Sequence, residues 1–177
     1  MSEKPPYKLH RELAEKRLRF ALFTVSSSRY VSKLRGEKIS DISMDLAIEL
    51  IERDGHEIIH KDILDDDISM IRERLEKMLE MREVDVIIFM GGTGLARKDL
   101  TIEAVKPLFE KEVEGFGEIF RMLSYKRIGA PAILTRATAG VSKGKAIICL
   151  PGSPDAVKLA LKEFLGELPH LVYLARQ

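Results

Sequence analysis

Residues 91 to 94 read Gly-Gly-Thr-Gly and directly follow the apolar run VIIFM. Arg97 and Asp99 come within the next five residues, so a flexible backbone, a cation and a carboxylate share one short stretch. Glycine lets backbone N–H groups approach phosphate oxygens closely, and a helix that begins behind the loop adds its positive end. These residue types suit the binding of a phosphate, although a sharp turn alone would also explain the glycines.

This loop completes neither of two familiar phosphate-binding templates. Counted from Gly92, the sixth position of a dinucleotide fingerprint is Arg97, where glycine or alanine is needed. No Gly-Lys-Ser/Thr sequence follows at the distance that a Walker A loop requires. The loop by itself therefore predicts an anion site without identifying the anion.

Three other segments place polar or flexible residues directly after predicted strands. Ser26 begins a Ser-Ser-Ser-Arg run, Asp66 is the middle of three aspartates, and Gly152-Ser153 lies between two prolines. Each has an ordinary explanation when considered alone: a polar turn for Ser26, and a helix cap for Asp66 and for Ser153. Carboxylates also hold Mg²⁺, which bridges to phosphate oxygens.

Strands and helices alternate along the chain, which predicts a doubly wound α/β domain with a mostly parallel sheet. Ligands of such sheets bind beyond the carboxyl ends of the strands, where the four segments above would meet. The predicted strands are 18–26, 56–64, 84–90 and 145–150, and the predicted helices are 8–17, 40–55, 65–83, 101–110, 115–127, 153–165 and a last one from near Pro169.

Composition restricts the class of protein. The 177 residues are 45% hydrophobic and 32% charged with a formal net charge of +1, which disfavours disorder, nucleic-acid binding and anionic membranes. No apolar run is long enough for a membrane span, and the N-terminus lacks the apolar core of a signal peptide. With a single cysteine, a cytoplasmic, soluble, one-domain protein is expected.

Three further residues with reactive side chains are assigned structural roles. His56 and His60 are four apart on a predicted strand, which separates them by about 13 Å, too far to share one metal. Cys149 lies inside the apolar run AIICL and is expected to be a buried hydrophobic side chain.

Seven segments, in order, resemble the molybdopterin adenylyltransferase family of molybdenum-cofactor biosynthesis, the MogA/MoaB group, and are most similar to its MoaB branch. The resemblance extends from about residue 18 to residue 175. The segments are TVSSSR (24–29), DDDISMI (65–71), GGTGLARKDLTIEA (91–104), EVEGFGEIFRMLS (112–124), RATAGV (136–141), LPGSPDAVK (150–158) and LPHLVYLAR (168–176).

The resemblance implies a three-layer α/β/α domain over residues 18–177, with residues 1–17 as an N-terminal extension. It also implies that AMP is transferred from Mg-ATP to the terminal phosphate of molybdopterin, giving adenylyl-molybdopterin and pyrophosphate. The product would pass to a metal-inserting enzyme, and the assembly would be a homotrimer or a hexamer built from trimers.

Matched position by position, Asp66 and Asp99 correspond to the family's two functional acids, which would hold Mg²⁺ and support the transfer. Glu118 falls in a matched segment without an assigned role. The residues that the resemblance assigns to substrate binding are Ser26, Gly91, Gly92, Thr93, Gly94, Arg97, Thr101, Gly152 and Ser153.

The chain departs from the family pattern at three positions. Ser27 stands where the family often has aspartate, Ile102 where it has proline, and Met44 where glycine is common. Ser27 bears most on function, because it removes a carboxylate from the expected pocket. Two alternatives to an enzyme remain open: a non-catalytic protein that binds or carries molybdopterin, and a homologue that serves another phosphorylated ligand.

Overall fold

A six-stranded sheet forms the centre of the computed structural model, which describes residues 5–177. The strands are β1 (Arg19–Val25), β2 (Glu57–Leu64), β3 (Val86–Met90), β4 (Lys111–Glu112), β5 (Thr138–Ser142) and β6 (Lys145–Leu150), in the order β2-β1-β3-β6-β5-β4. The first four strands in this order are parallel, whereas β5 is antiparallel to β6 and β4 is antiparallel to β5. The predicted mostly parallel sheet is confirmed.

Helices cover both faces of this sheet. They are α1 (Pro6–Leu13), α2 (Ser27–Leu34), α3 (Ile42–Arg53), α4 (Ile68–Glu80), α5 (Thr101–Val105), α6 (Glu114–Ile128), α7 (Pro154–Phe164) and α8 (Leu168–Ala175). Helix α1 falls in the predicted extension 1–17, of which residues 1–4 lie outside the described part of the chain. None of the helices in residues 5–177 has the length and apolar composition that crossing a lipid bilayer requires.

Side chains of successive strand residues point to opposite faces and create two cores. Phe20 and Leu22 of β1 pack with α3, α6, α7 and α8, whereas Ala21 and Phe23 pack with α4 and α5. Cys149 belongs to the second core and is fully buried, which confirms its predicted hydrophobic role and raises the pKa of its thiol. The sheet with its two helical layers is the predicted α/β/α architecture.

Several elements differ from the sequence-based prediction. Helix α2 and strands β4 and β5 were not predicted, and the helix predicted over 101–110 ends at Val105, where a 3-10 turn containing Pro107 takes over. Proline has no N–H with which to continue the α-helical ladder. Strand β5 reads TAGVS, in which Ala139 and Gly140 disfavour a strand, and it pairs with β6 through a tight hairpin.

A buried carboxylate at the amino edge of the sheet joins the two ends of the domain. Asp85, 0% exposed, accepts hydrogen bonds from the backbone N–H of Arg19 at 2.8 Å and from its guanidinium at 3.0 and 3.1 Å. Arg176, directly after α8, donates a further bond at 2.6 Å. Burial acts to raise the pKa of Asp85, but these bonds outweigh it and hold the pKa below its ordinary value.

We expect Asp85→Asn to lower the free energy of unfolding at pH 7 by about 3 kcal/mol, near the low end for a broken buried ion pair because both arginines are about one-third exposed. Since the pKa is depressed in the folded state, the carboxylate stabilises the protein above the unfolded-state pKa. That contribution is lost as the pH falls through the folded-state pKa, so wild type and variant should converge in acid.

Chemical denaturation at a series of pH values measures this difference. Glu83→Gln, which removes a nearby exposed carboxylate, serves as the control and should change stability by less than about 0.5 kcal/mol. An Asp85→Asn protein as stable as wild type at pH 7 would contradict the prediction.

Candidate functional site

The segments singled out in the sequence meet at the carboxyl edge of the sheet. Thr24 of β1 pairs with Met90 of β3, and Met90 pairs with Leu150 of β6, so the three strands end at the same level. The N–H of Gly91 continues this ladder by donating to the carbonyl of Leu150 at 2.9 Å. The residues after each strand are therefore neighbours in space, as predicted.

The backbone at this edge is packed so closely that side chains would not fit. A Cβ atom on Gly91, whose φ is +107°, would lie 2.3 Å from the carbonyl oxygen of Val25. A Cβ atom on Gly152 would lie 3.0 Å from the Cα of Gly91. The glycines thus bring the ends of β1, β3 and β6 into direct backbone contact.

Gly92 provides the room for two polar side chains that come from distant parts of the chain. A Cβ atom there would lie 2.4 Å from Oγ1 of Thr101 and 2.5 Å from Oδ1 of Asp66. The buried hydroxyl of Thr101 donates to the carbonyl of Gly91 at 2.7 Å, and its N–H donates to the carbonyl of Gly92 at 2.9 Å. Thr101, predicted to bind substrate, has its hydroxyl engaged in shaping the loop.

Asp66 lies beside Gly92, as Thr101 at the start of α5 does, and half of its carboxylate has no hydrogen-bond partner. Its Oδ2 accepts from the N–H of Ser27 at 3.1 Å and from the Ser27 hydroxyl at 3.2 Å. Its Oδ1 is buried without a hydrogen-bond partner in the described structure. The alternative of a helix cap for Asp66 is wrong, because the cap of α4 is Asp67, which accepts from the N–H of Met70 at 2.8 Å.

The second acid, Asp99, lies beside the other end of the same loop. Its Oδ2 accepts from the N–H of Ala96 at 2.8 Å and would be 2.5 Å from a Cβ atom on Gly94. Between the two acids, the N–H groups of residues 92 to 95 donate to no protein acceptor within residues 5–177. Four successive free amides flanked by two carboxylates are suited to an anion that arrives with a divalent cation.

Two helices begin at this edge and direct their positive ends toward it. Ser26 caps α2 by accepting from the N–H of Arg29 at 3.5 Å, and Ser153 caps α7 by accepting from the N–H of Ala156 at 3.3 Å. The predicted polar turn at Ser26 is therefore the first turn of a helix. Helix N-termini favour anions, so both predicted residues lie where a phosphate would be stabilised.

The remaining predicted binding residues differ in how the structure holds them. Thr93 is 3% exposed at the base of the loop, whereas Arg97 is exposed on its outer side and its guanidinium bonds to no residue in the described part of the chain. Arg97 is thus free to reach a ligand, and its orientation depends on that ligand. His56, set aside in the sequence, is buried and accepts from the N–H of Leu18 at 3.2 Å, away from this edge.

Sequence reasoning missed the residues that support the turn after β6. The Ser43 hydroxyl donates to the carbonyl of Gly152 at 2.7 Å. Asp41 caps α3 by accepting from the N–H of Met44 at 3.0 Å, and it also accepts from the Thr24 hydroxyl at 2.6 Å. The Asp-x-Ser pattern at 41–43 was the feature of the sequence that could have indicated these supporting residues. All three of these polar side chains are buried, so they fix the pocket from behind.

The carboxylates at this edge suit a metal ion whose coordination is completed by a bound ligand. Within residues 5–177 no three carboxylate, histidine or cysteine side chains lie together as a metal cage. Mg²⁺ requires fewer protein ligands, because it keeps waters and binds one or two carboxylates together with substrate phosphates. The partnerless Oδ1 of Asp66 beside the free amides meets that requirement.

Comparison with known proteins identifies relatives that span almost the whole chain. A family model described as a probable molybdopterin binding domain matches residues 21–170. A "Probable molybdopterin adenylyltransferase" of Methanocaldococcus jannaschii is 40% identical over 157 residues, covering 89% of this chain and 93% of the relative. A "Molybdenum cofactor biosynthesis protein B" of Halalkalibacterium halodurans is 41% identical over 169 residues, covering 95% and 94%.

Solved structures share the fold. The tungsten cofactor synthesizing protein MoaB from Pyrococcus furiosus superimposes with a TM-score of 0.78 at 38% sequence identity, covering 93% of this chain and 100% of that chain. The MoaB resemblance seen in the sequence is therefore confirmed at the level of the fold.

We expect Gly91→Ala to lower the thermal midpoint by about 8 °C or more. The new methyl group would meet the Val25 carbonyl, which is backbone and cannot move aside, at a φ that only glycine adopts readily. Gly115→Ala is the matched control, because a Cβ there would meet nothing within 4 Å; it should leave the midpoint unchanged or raise it. Thermal unfolding followed by circular dichroism gives both values, and equal midpoints would contradict the described packing.

Proposed function

The chain belongs to the family of molybdopterin-binding domains of molybdenum-cofactor biosynthesis, and on that premise we propose that it is a molybdopterin adenylyltransferase. The observation that carries the proposal is the row of free amides at residues 92 to 95, with Asp66 at one end and Asp99 at the other. This is a site for phosphate groups, and the proposed reaction brings together two phosphorylated molecules.

In the proposed reaction, an oxygen of the terminal phosphate of molybdopterin attacks the α-phosphorus of ATP. A new phosphorus–oxygen bond forms, and the bond between the α-phosphorus and the oxygen that bridges to the β-phosphorus breaks. Pyrophosphate leaves with that electron pair, and adenylyl-molybdopterin remains for the metal-insertion enzyme that follows. The attacking group is itself an anion, so a covalent intermediate on the protein is unnecessary.

Such a transfer depends on alignment and on neutralising negative charge. The amides of the loop and the N-termini of α2 and α7 would hold phosphate oxygens, with Ser26, Gly152 and Ser153 bordering the pterin substrate. Arg97 would neutralise charge from the open side of the loop. Buried Thr101 and the backbone packing of the glycines keep the amides in place before substrate arrives.

Asp66 and Asp99 would hold Mg²⁺, which when bound supplies positive charge to the phosphate oxygens of ATP. The carboxylates would otherwise repel the phosphates, so the metal makes the two anionic partners compatible. This arrangement explains why acidic side chains flank a loop that is suited to anions.

We expect Asp66→Asn and Asp99→Asn each to lower the rate of adenylyl-molybdopterin formation by about 100-fold or more, because each variant loses a charged metal ligand. The measurement is product formation from purified protein, molybdopterin, ATP and Mg²⁺, with pyrophosphate release as a second readout. Chelation of Mg²⁺ should abolish turnover by wild type, and added Mg²⁺ should restore it.

Asp67→Asn is the matched control. Asp67 is the adjacent exposed acid, and asparagine caps a helix as well as aspartate does, so activity should remain within about twofold of wild type. If wild-type protein binds molybdopterin tightly without turnover, the proposed catalytic activity is contradicted and the role of a non-catalytic carrier is favoured. Failure to bind molybdopterin at all would indicate another phosphorylated ligand.

We also propose that the protein is a homotrimer or a hexamer built from two trimers, and the exposed face of α6 supports an assembly. Large apolar side chains recur there at helical spacing and continue into the following turn, an unusual density of exposed hydrophobic surface. These side chains, with their exposed fractions, are Ile119 (45%), Met122 (49%), Tyr125 (62%), Ile128 (57%), Ile133 (75%) and Leu134 (60%).

Light scattering in solution should give three or six times the 20.0 kDa mass of one chain. Met122→Glu should reduce that mass, because a charge buried in the contact is unfavourable. Leu34→Glu, which changes a more exposed apolar residue on α2 (69% exposed), should leave the mass unchanged. A monomeric wild type at micromolar concentration would contradict the assembly.

A further inference from the structure

Arg136, the first residue of the RATAGV segment, connects the glycine loop to α5, although the sequence assigned it no role in the site. Its Nη1 donates to the carbonyl oxygen of Gly94 at 2.9 Å. Its Nη2 donates to the carboxylate of Glu103, which lies on α5. The Arg136 side chain is 29% exposed, so it is partly sheltered between the loop and α5.

The direction of β5 explains how Arg136 reaches this edge. Thr138, the first residue of β5, pairs with Cys149 near the end of β6, because the two strands are antiparallel. The chain just before β5 therefore lies at the same edge as the chain just after the parallel strands. Arg136 therefore lies at this edge although it precedes its strand instead of following one.

The contact with Gly94 determines which way one peptide group faces. All peptide bonds in the described chain are trans, so the carbonyl of Gly94 and the N–H of Leu95 point in opposite directions. With its carbonyl held by Arg136, this peptide turns the N–H of Leu95 away from Arg136 and from α5. Glycine at position 94 would otherwise allow the peptide to rotate and present its carbonyl oxygen, which repels phosphate.

We propose that Arg136 is a positioning residue for the adenylyl transfer, holding the Gly94–Leu95 peptide so that the loop presents amides to the phosphate. This inference rests on the proposed function. Arginine suits the task because its planar fork donates in two directions at once, whereas lysine is a point charge without that fixed geometry. Glu103 keeps the fork oriented and offsets its charge, so Arg136 acts through Gly94 without touching the substrate.

Three variants test the inference by steady-state kinetics of pyrophosphate release with molybdopterin, ATP and Mg²⁺. Arg136→Met should lower kcat by about 30- to 100-fold with less than a threefold change in KM for ATP, because misplacement of a catalytic group costs most in the transition state. Arg136→Lys should recover part of that loss, and Glu103→Gln should lower kcat by about 2- to 5-fold. Arg82→Met, an exposed arginine without a partner in residues 5–177, is the control.

A second readout follows the loop itself. Backbone ¹⁵N relaxation of residues 93 to 96 should show order parameters of about 0.8 in wild type and below about 0.6 in Arg136→Met, with the thermal midpoint within about 2 °C. A purely structural role would lower the midpoint and leave kcat of the folded protein unchanged, which would overturn the inference.

The remaining outcomes are also distinct. An Arg136→Met enzyme with wild-type kcat would overturn the inference, as would a rise in KM for ATP at unchanged kcat, which would mean that Arg136 binds substrate directly. If wild type releases no pyrophosphate, the proposed function fails first, and Arg136 has no transfer to position. In that case, unchanged order parameters of residues 93 to 96 in Arg136→Met would also refute the proposal that Arg136 fixes the loop.

Discussion

The candidate site depends on direct backbone-to-backbone contact between the ends of three strands, with no side chain in between. Gly91 lies against the carbonyl of Val25, and Gly152 lies against Gly91, at distances that leave no space for a methyl group. This contact brings segments that are far apart in the sequence into one surface. It also leaves backbone N–H and C=O groups as the main chemistry of that surface, because glycine has no side chain.

Polar side chains then hold this glycine backbone from behind. Thr101 bonds to Gly91, Ser43 bonds to Gly152, and Arg136 bonds to Gly94, each by donating to a carbonyl oxygen. Because the carbonyls are occupied in this way, the amides of the loop remain for a ligand. Burial of Thr101 and Ser43 makes these bonds more costly to break than equivalent bonds in water.

The sequence was sufficient to predict the parallel strands and the convergence of the segments after them, because buried parallel strands have long apolar runs and end at a common edge. The sequence was insufficient to predict β5, because its small residues resemble those of a turn and the strand forms by pairing with β6. It was therefore also insufficient to predict that Arg136, just before β5, lies at the site. Asp66 and Asp67 illustrate a second difficulty. Two adjacent aspartates differ only in the direction in which their side chains point. Tertiary contacts, which the sequence does not reveal, determine which one caps the helix and which one faces the loop.

The cluster around Asp85 has a consequence for how such a protein can change over evolutionary time. Asp85 and Gly91 are at opposite ends of β3, about 20 Å apart along the strand, and share no hydrogen-bond partner. Substitutions so far apart affect stability additively. Mutations that alter specificity at the loop and weaken the fold can therefore be compensated by stabilising substitutions around Asp85, at the other end of the sheet.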